Sequence, residues 1–385
     1  LFLFSQPVSA QFGKLKDKIK KEAEKKIAVP KKEDAPQAAD TSASASAPAA
    51  ADSTKPAGDG FQLYTKFDFV PGQRVLFYDD LSREELGEFP SRWGLTSGVF
   101  EIAKVGTQPW IMCSARGQIY PKLNVNQLPE KYTVEFKLLN RTASYTGAYN
   151  TQFIWLKDDG YPAATLELFT ATKALFRMSD DQGHVQNISD KQLAAGFTSG
   201  VHDIRIMVTK SSVKCYVDNE RVANAPKTAG FTPTSFALSF HADDGDFEKE
   251  KLFFGDFRFA EGGKTMREQL DDSGKIVTHG IYFDVNSATI KGESYKTLAD
   301  VGQMLADDPG LRLQIDGHTD ADGAEASNLE LSQKRAESVR TYLMDNYKVD
   351  AARLGAKGHG ESVPIDANTT PEGKANNRRV EFVKL

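Results

Sequence analysis

Asp320 and Arg335 stand fifteen positions apart, and their types suit a binding site. An ionised Asp only accepts hydrogen bonds. A guanidinium only donates them, as a planar fork that can grip a carboxylate with two parallel bonds. Together they supply one acceptor-only group and one donor fork. The loop Gly317-His318-Thr319-Asp320 leads into a run whose apolar positions Leu331, Val339 and Leu343 are spaced by eight and four. That spacing predicts a helix with one face in a core. Arg335 falls inside the stripe, and a guanidinium there is costly unless something anionic meets it. Asp320 is the nearest candidate partner, so an internal salt bridge tying loop to helix is one reading. Capture of a ligand between the two is the other, with N–H groups near Gly323 and at the helix N-terminus as further donors.

The elements that must position this pair follow from pattern. A strand is expected over Ile276–Phe283 and a helix over about Glu293–Asp307, with Leu298, Val301 and Leu305 on one face. Asp308-Pro309-Gly310 ends that helix. The strand Leu311–Asp316, the loop, and a long helix to about Tyr347 come next. Strands near Arg353–Lys357 and at Val380–Val383 complete a βαβαβ mixed sheet with helices on one side.

This segment resembles the OmpA-like (OmpA/MotB) peptidoglycan-binding domain. Thr319, Asp320 and Gly323 match its T-D-x-x-G. Asn328, Leu331, Ser332, Arg335, Ala336 and Val339 match N-x-x-L-S-x-x-R-A-x-x-V. Arg353-Leu354, Gly358-His359-Gly360 and the closing Asn376-Asn377-Arg378-Arg379-Val380-Glu381 follow in order, and Phe283-Asp284 with Ser287 fits the family's opening. The resemblance implies a module that binds the diaminopimelate of peptidoglycan peptide stems without cutting them. It implies that Asp320 and Arg335 hold the ligand's ammonium and carboxylate. Thr319, Gly323, Asn328 and Leu331 belong to the same pattern, Asn377 and Arg378 are secondary candidates, and Asn368 is a polar residue where the family approaches its ligand. His318 and His359 read as packing residues rather than a metal site or an acid–base pair.

The chain has 385 residues, too many for one ordinary domain, with 40% hydrophobic and 26% charged residues, as in soluble globular proteins. Its net charge of −5 and the lack of a basic, aromatic-interleaved stripe argue against nucleic acid. No apolar run approaches the roughly 20 residues of a spanning helix. Residues 1–10, ending Val8-Ser9-Ala10 with no Cys after them, read as the remnant of a secretory signal peptide of an exported, unlipidated protein. Residues 11–60 combine a basic helix-prone segment, 14–27, with a Pro/Ala/Ser-rich linker, giving a disordered N-terminal arm.

Residues 61–262 read as short alternating strands, among them Tyr132–Leu138, Asp203–Val208 and Val213–Val217, with a tight turn at Asp218-Asn219-Glu220. The expectation is an all-β sandwich, and Phe77-Tyr78-Asp79-Asp80-Leu81-Ser82 with Trp93, and Tyr216–Val222, resemble concanavalin/laminin-G-like jelly rolls. Fold alone does not choose between lectin, glycosidase and spacer. A retaining glycosidase needs paired carboxylates, and Thr165–Phe169 offers one acidic residue, Glu167. Asp243-Asp244-Gly245-Asp246 reads as a solvated turn before a calcium loop, and Trp93, Trp110 and Trp155 read as core before sugar platforms. Cys113 and Cys215 fit a disulfide or two free thiols equally.

The expected architecture is therefore multidomain: arm, sandwich over 61–262, and the OmpA-like domain over 265–385. No catalytic residue, metal or cofactor is expected. The expected function is non-enzymatic anchoring to peptidoglycan in the periplasm, at the outer membrane or cell wall. A glycan for the sandwich and an outer-membrane or envelope protein remain open as partners. A lectin-like protein is the alternative, and a glycan hydrolase ranks below it.

Overall fold

The computed structural model describes residues 68–141, 150–169, 172–180, 182–241 and 251–385. The expected signal remnant, basic segment and linker, and the Asp243–Asp246 turn, lie outside the described residues. Those described belong to one compact unit, Leu63–Leu385.

Alternating apolar residues build thirteen antiparallel strands between Arg74 and Glu261. They are β1 (Arg74–Asp79), β2 (Trp93–Val105), β3 (Gln108–Pro121), β4 (Tyr132–Arg141), β5 (Asn150–Leu156), β6 (Pro162–Phe169) and β7 (Lys173–Ser179). β8 (Val185–Gln192), β9 (Ser199–Val208), β10 (Ser212–Val217), β11 (Glu220–Pro226), β12 (Ser235–His241) and β13 (Leu252–Glu261) follow. The ladder runs β11-β10-β9-β4-β13-β3-β12-β5-β6-β7-β8, with β1 beside β13 and β2 beside β3. The long β3 joins its halves, pairing with β13 at residues 111–113 and with β12 at 117–119. Its ends approach each other, since Ser189 Oγ donates to Val222 O (2.7 Å) and Lys191 Nζ to Arg221 O (2.9 Å). In place of two separate sheets, the described strands form one ladder curled nearly into a barrel.

Aromatic rings fill its interior. Trp93 meets Phe254 and Phe257 edge-on at 5.1 Å, and Phe153 stacks on Phe236 at 5.0 Å. Trp93, Trp110 and Trp155 are all buried, so none offers a face to a sugar. Val217 pairs with Glu220 across the expected tight turn, with Asp218 at positive φ. Cys113 and Cys215 are separate free thiols in this core, and burial pushes the Cys113 thiol up to about 12.

The C-terminal region begins with α1 (Met266–Ser273), whose Thr265 and Glu268 form a reciprocal capping box. The rest comprises β14 (Lys275–Thr278), α2 (Tyr295–Asp307), β15 (Leu313–His318) and α3 (Glu325–Tyr347), then β16 (Leu354–Gly360), α4 (Pro371–Asn377) and β17 (Val380–Lys384). The sheet order is β14-β17-β15-β16, with β15 and β16 parallel and the other pairs antiparallel. Leu298, Val301 and Leu305 of α2 share a core with Leu313, Ile315, Val339, Leu343 and Phe382. The first strand stops at Thr278 instead of reaching Phe283, which makes a lone bridge to Ile290.

The long helix lies very close to the sheet. A Cβ added at Gly317 would sit 2.4 Å from Ser332 O, and one at Gly358 would sit 2.3 Å from Gln333 N. Glycine is required on those strands because the helix backbone occupies the space a side chain would take.

The two regions are joined through β1 and α4. Val75 N–H donates to Asn376 Oδ1 (2.8 Å), Asn376 Nδ2 donates to Val75 O (3.3 Å), and Tyr78 N–H donates to Glu372 Oε1 (3.0 Å). A buried Tyr282 hydroxyl also reaches Glu135 Oε2 (2.8 Å), whose other oxygen accepts from Arg258 Nη1 (2.6 Å).

Candidate functional site

The loop after β15 is held by its own short polar residues. Thr319 N–H donates to Gly360 O (2.9 Å), and Asp322 N–H donates to Asp320 Oδ1 (3.1 Å), a turn that Asp side chains favour. Asn328, one turn into α3, donates its amide to Asp320 O (3.3 Å), Asp322 O (3.0 Å) and Glu361 Oε2 (2.7 Å). The loop is thereby fixed to the helix, and Asp320 is buried at 7% exposure.

Arg335 lies elsewhere on α3 than the apolar spacing suggests. The buried row is Asn328, Ser332, Ala336, Val339 and Leu343, while Leu331 is half-buried. At about 100° per residue, Arg335 and Leu331 stand roughly 60° and 100° round from Ser332. Small side chains at 332 and 336 face the glycine-bearing strands, and that close approach turns the neighbouring row toward a cleft.

Asp320, Leu331 and Arg335 line this cleft, of about 560 Å³, with Thr319, Asn328 and Arg378. Asp320 and Arg335 do not pair with each other. Asp320 Oδ2 instead accepts from Arg378 Nη1. Arg335 Nε donates to Ser287 O (2.9 Å), and its guanidinium carbon lies 4.9 Å from the centre of the Phe283 ring. Among the described residues, no carboxylate stands within ion-pair distance of Arg335.

Burial, and then the charge of Arg378, pull the Arg335 guanidinium below its ordinary value, with Asp320 acting the other way. Burial also acts against Arg378, yet Tyr78 and Asp320 hold it above its ordinary value. Among the described residues, Arg378 thus has Asp320 as its carboxylate and Arg335 has none, which leaves an unpaired guanidinium in partly desolvated surroundings.

The remaining candidates separate by placement. Thr319 is 6% exposed and its Oγ1 has no partner. Gly323 adopts φ +96° in the exposed turn before α3, outside the cleft lining. Asn377 is 0% exposed and also outside that lining. It accepts from the N–H groups of Ile365 (2.8 Å) and Asp366 (3.1 Å) and donates to Asp366 O and Asn368 Oδ1 (both 2.8 Å). His318 stacks on His359 with centroids 5.0 Å apart, and burial, then Arg379, lowers its pKa to about 4. A neutral ring in such a stack is a packing element at neutral pH. Among the described residues, no three His, Cys, Asp or Glu side chains group as a metal ion would need.

The OmpA family model matches residues 282–378. Residues 282–378 form an OmpA family domain. Outer membrane porin F of Pseudomonas aeruginosa is 39% identical over 118 residues, covering 31% of this chain and 31% of that protein. A protein of Mycobacterium bovis named peptidoglycan-binding protein ArfA is 40% identical over 115 residues, covering 30% of this chain and 35% of its own length. The chain thus spans about a third of these curated relatives. A solved peptidoglycan-associated lipoprotein from Burkholderia pseudomallei is 32% identical, covers 27% of this chain and 88% of its own, and has a TM-score of 0.26.

Within the OmpA family domain, the ring of Phe283 beneath Arg335 is a residue that the Phe283-Asp284 opening marked without assigning it to the site. The opposite wall carried no such signal. Tyr78, Lys137, Asp203 and Asp256 come from the β region and line the same cleft as Asp320. Asp256 has φ +48° where the β13–β4 register shifts between Gly255 and Arg258. Such a bulge re-aims side chains, and here Asp256 pairs with Lys137.

Proposed function

We propose that this chain is an exported, non-enzymatic cell-envelope protein that binds peptidoglycan without a covalent bond, in the periplasm at the outer membrane or cell wall. The ligand is the free zwitterionic end of diaminopimelate in a peptide stem. Arg335 takes its carboxylate. Asp320, whose two oxygens each carry one hydrogen bond and keep lone pairs free, takes its ammonium. Thr319 Oγ1 is an unpartnered acceptor and donor in the same cleft, and Asn328 holds the loop in register. In this reading residues 265–385 are the anchor and residues 61–262 an all-β body that it tethers.

The observation that carries the reading is the Arg335 guanidinium, which lines the cleft with no carboxylate partner among the described residues. A partly desolvated guanidinium bonded to a carbonyl and stacked on Phe283, beside a second guanidinium, is a carboxylate receptor. The name of the Mycobacterium bovis relative supports the same class of ligand.

Two measurements on the full chain test it: calorimetric titration with meso-diaminopimelate and co-sedimentation with purified sacculi. Arg335→Ala is expected to abolish both while leaving the circular dichroism spectrum unchanged. Wild-type binding in that variant refutes the assignment.

A further inference from the structure

Tyr78, on β1, meets α4 at both of its ends. In the first turn of α4, Glu372 accepts from the Tyr78 N–H (3.0 Å), and Arg92 binds both Glu372 and the Tyr78 carbonyl. At the other end, Arg378 is the C-cap residue of α4, and its guanidinium carbon lies 5.2 Å from the centre of the Tyr78 ring. Between these contacts, Asn376 holds Val75 through both its N–H and its carbonyl. The Tyr78 hydroxyl donates to Asp256 Oδ1 (3.4 Å) on the bulge of β13. The ring is thus fixed by backbone on one side and by its hydroxyl on the other.

This placement bears on the cleft through Arg378, which the Tyr78 ring meets on one side and Asp320 on the other. A guanidinium at the end of a flexible stem loses rotamer freedom when held in one place, and that cost is met before a ligand arrives if a ring already holds it. Released from Tyr78, Arg378 would be free to leave Asp320 and compete with Arg335 for the ligand's carboxylate.

We propose that Tyr78 is a positioning residue of the ligand cleft: its ring holds Arg378 on Asp320, so the binding arrangement is complete only with the β region docked. This rests on the function proposed above. Nothing in the C-terminal motif encodes it, because the residue belongs to the other region of the chain.

The test is calorimetric titration of the full chain with meso-diaminopimelate for wild type, Tyr78→Phe, Tyr78→Ala, Arg378→Ala and the Tyr78→Ala/Arg378→Ala double variant. Melting midpoints are taken for each. Tyr78→Ala is expected to bind about fivefold more weakly, the size of a partly exposed cation–π contact. Tyr78→Phe, which keeps the ring, is expected to stay within about twofold of wild type on the same basis. In the Arg378→Ala background, adding Tyr78→Ala is expected to change affinity by less than about twofold, because the contact it removes is already gone. Tyr78→Leu, which keeps bulk without a ring face, replaces Tyr78→Ala if the latter fails to fold, with the same expected loss. Wild-type affinity in the ring-deleted variant overturns the proposal, as does an equal loss in both Arg378 backgrounds. Either result alongside lost binding in Arg335→Ala leaves the proposed function standing. No binding by wild type overturns both.

Discussion

Asp320→Ala removes the pair with Arg378, the acceptor for the Asp322 N–H, and the acceptor proposed above for the ligand's ammonium. The stability cost follows from exposure. The Asp320 side chain is 10% exposed and that of Arg378 is 37% exposed. An exposed pair contributes about 0–1 kcal/mol, whereas breaking a buried one costs about 3–5 kcal/mol. Arg378 is more than a third open to water and recovers much of its hydration, which places the pair near 1–2 kcal/mol. With the turn bond lost as well, Asp320→Ala is expected to destabilise by about 2 kcal/mol. Asp320→Asn keeps an oxygen for the turn and a neutral group facing Arg378, so about 1 kcal/mol is expected. Urea unfolding followed by circular dichroism reads both.

Binding separates the carboxylate's two roles. A charge-assisted bond contributes about 1.5–3 kcal/mol, so Asp320→Asn is expected to weaken meso-diaminopimelate binding by roughly ten- to a hundredfold despite its mild effect on folding. Wild-type affinity in Asp320→Asn would show that Asp320 serves Arg378 alone. An Asp320→Ala protein that unfolds at the wild-type midpoint would refute the reasoning about the pair itself.

Two further outcomes follow from the C-terminal region. Gly358→Ala places a methyl 2.3 Å from Gln333 N, where backbone must yield, so a loss of at least about 1–3 kcal/mol is expected in urea unfolding. His318 carries a pKa lowered from 6.5 to about 4. The unfolded chain therefore binds more protons between those values, and the stability His318 contributes is present above 6.5 and lost as pH falls toward 4. That gap corresponds to about 3 kcal/mol, and His318→Phe should flatten the acid limb of stability between pH 6.5 and 4.5 by up to that amount.

The periodic elements were legible in the sequence. The run after Asp308-Pro309-Gly310 gave a strand, loop and long helix close to β15 and α3, because 2.0 and 3.6 periods are local properties. What periodicity did not give was the face of α3. Ser332 and Ala336 are too small to mark a stripe, yet both are buried, and the helix backbone at Ser332 and Gln333 lies against Gly317 and Gly358, which sets the buried row. The partner of Asp320 was hidden for a different reason. Arg378 is remote in sequence, and it arrives beside Asp320 because His318 N–H donates to Arg379 O (3.0 Å) across the β15–β17 edge. The curl of the β ladder and the wall holding Tyr78 and Asp256 depend on long-range pairing that no short stretch encodes.

The run Asn376-Asn377-Arg378-Arg379 bears on why the proposed recognition centres on Arg335. Read as sequence, Asn377 and Arg378 of this run are secondary ligand-binding candidates. In the structure all four residues are committed elsewhere. Asn376 joins β1, Asn377 fastens the 365–368 loop, and Arg378 is set against Asp320 and Tyr78. Arg379 donates to Glu381 Oε1 (2.6 Å), Asn377 O (3.3 Å) and Val363 O (3.1 Å), and is 4% exposed. Buried donors spent in this way stabilise the fold and have little left for a ligand. Arg335 makes one carbonyl bond and one ring contact, faces the cleft, and has no carboxylate partner among the described residues. An incoming carboxylate therefore gains most there, and the ending of the domain serves to hold Asp320 and the cleft wall in place around it.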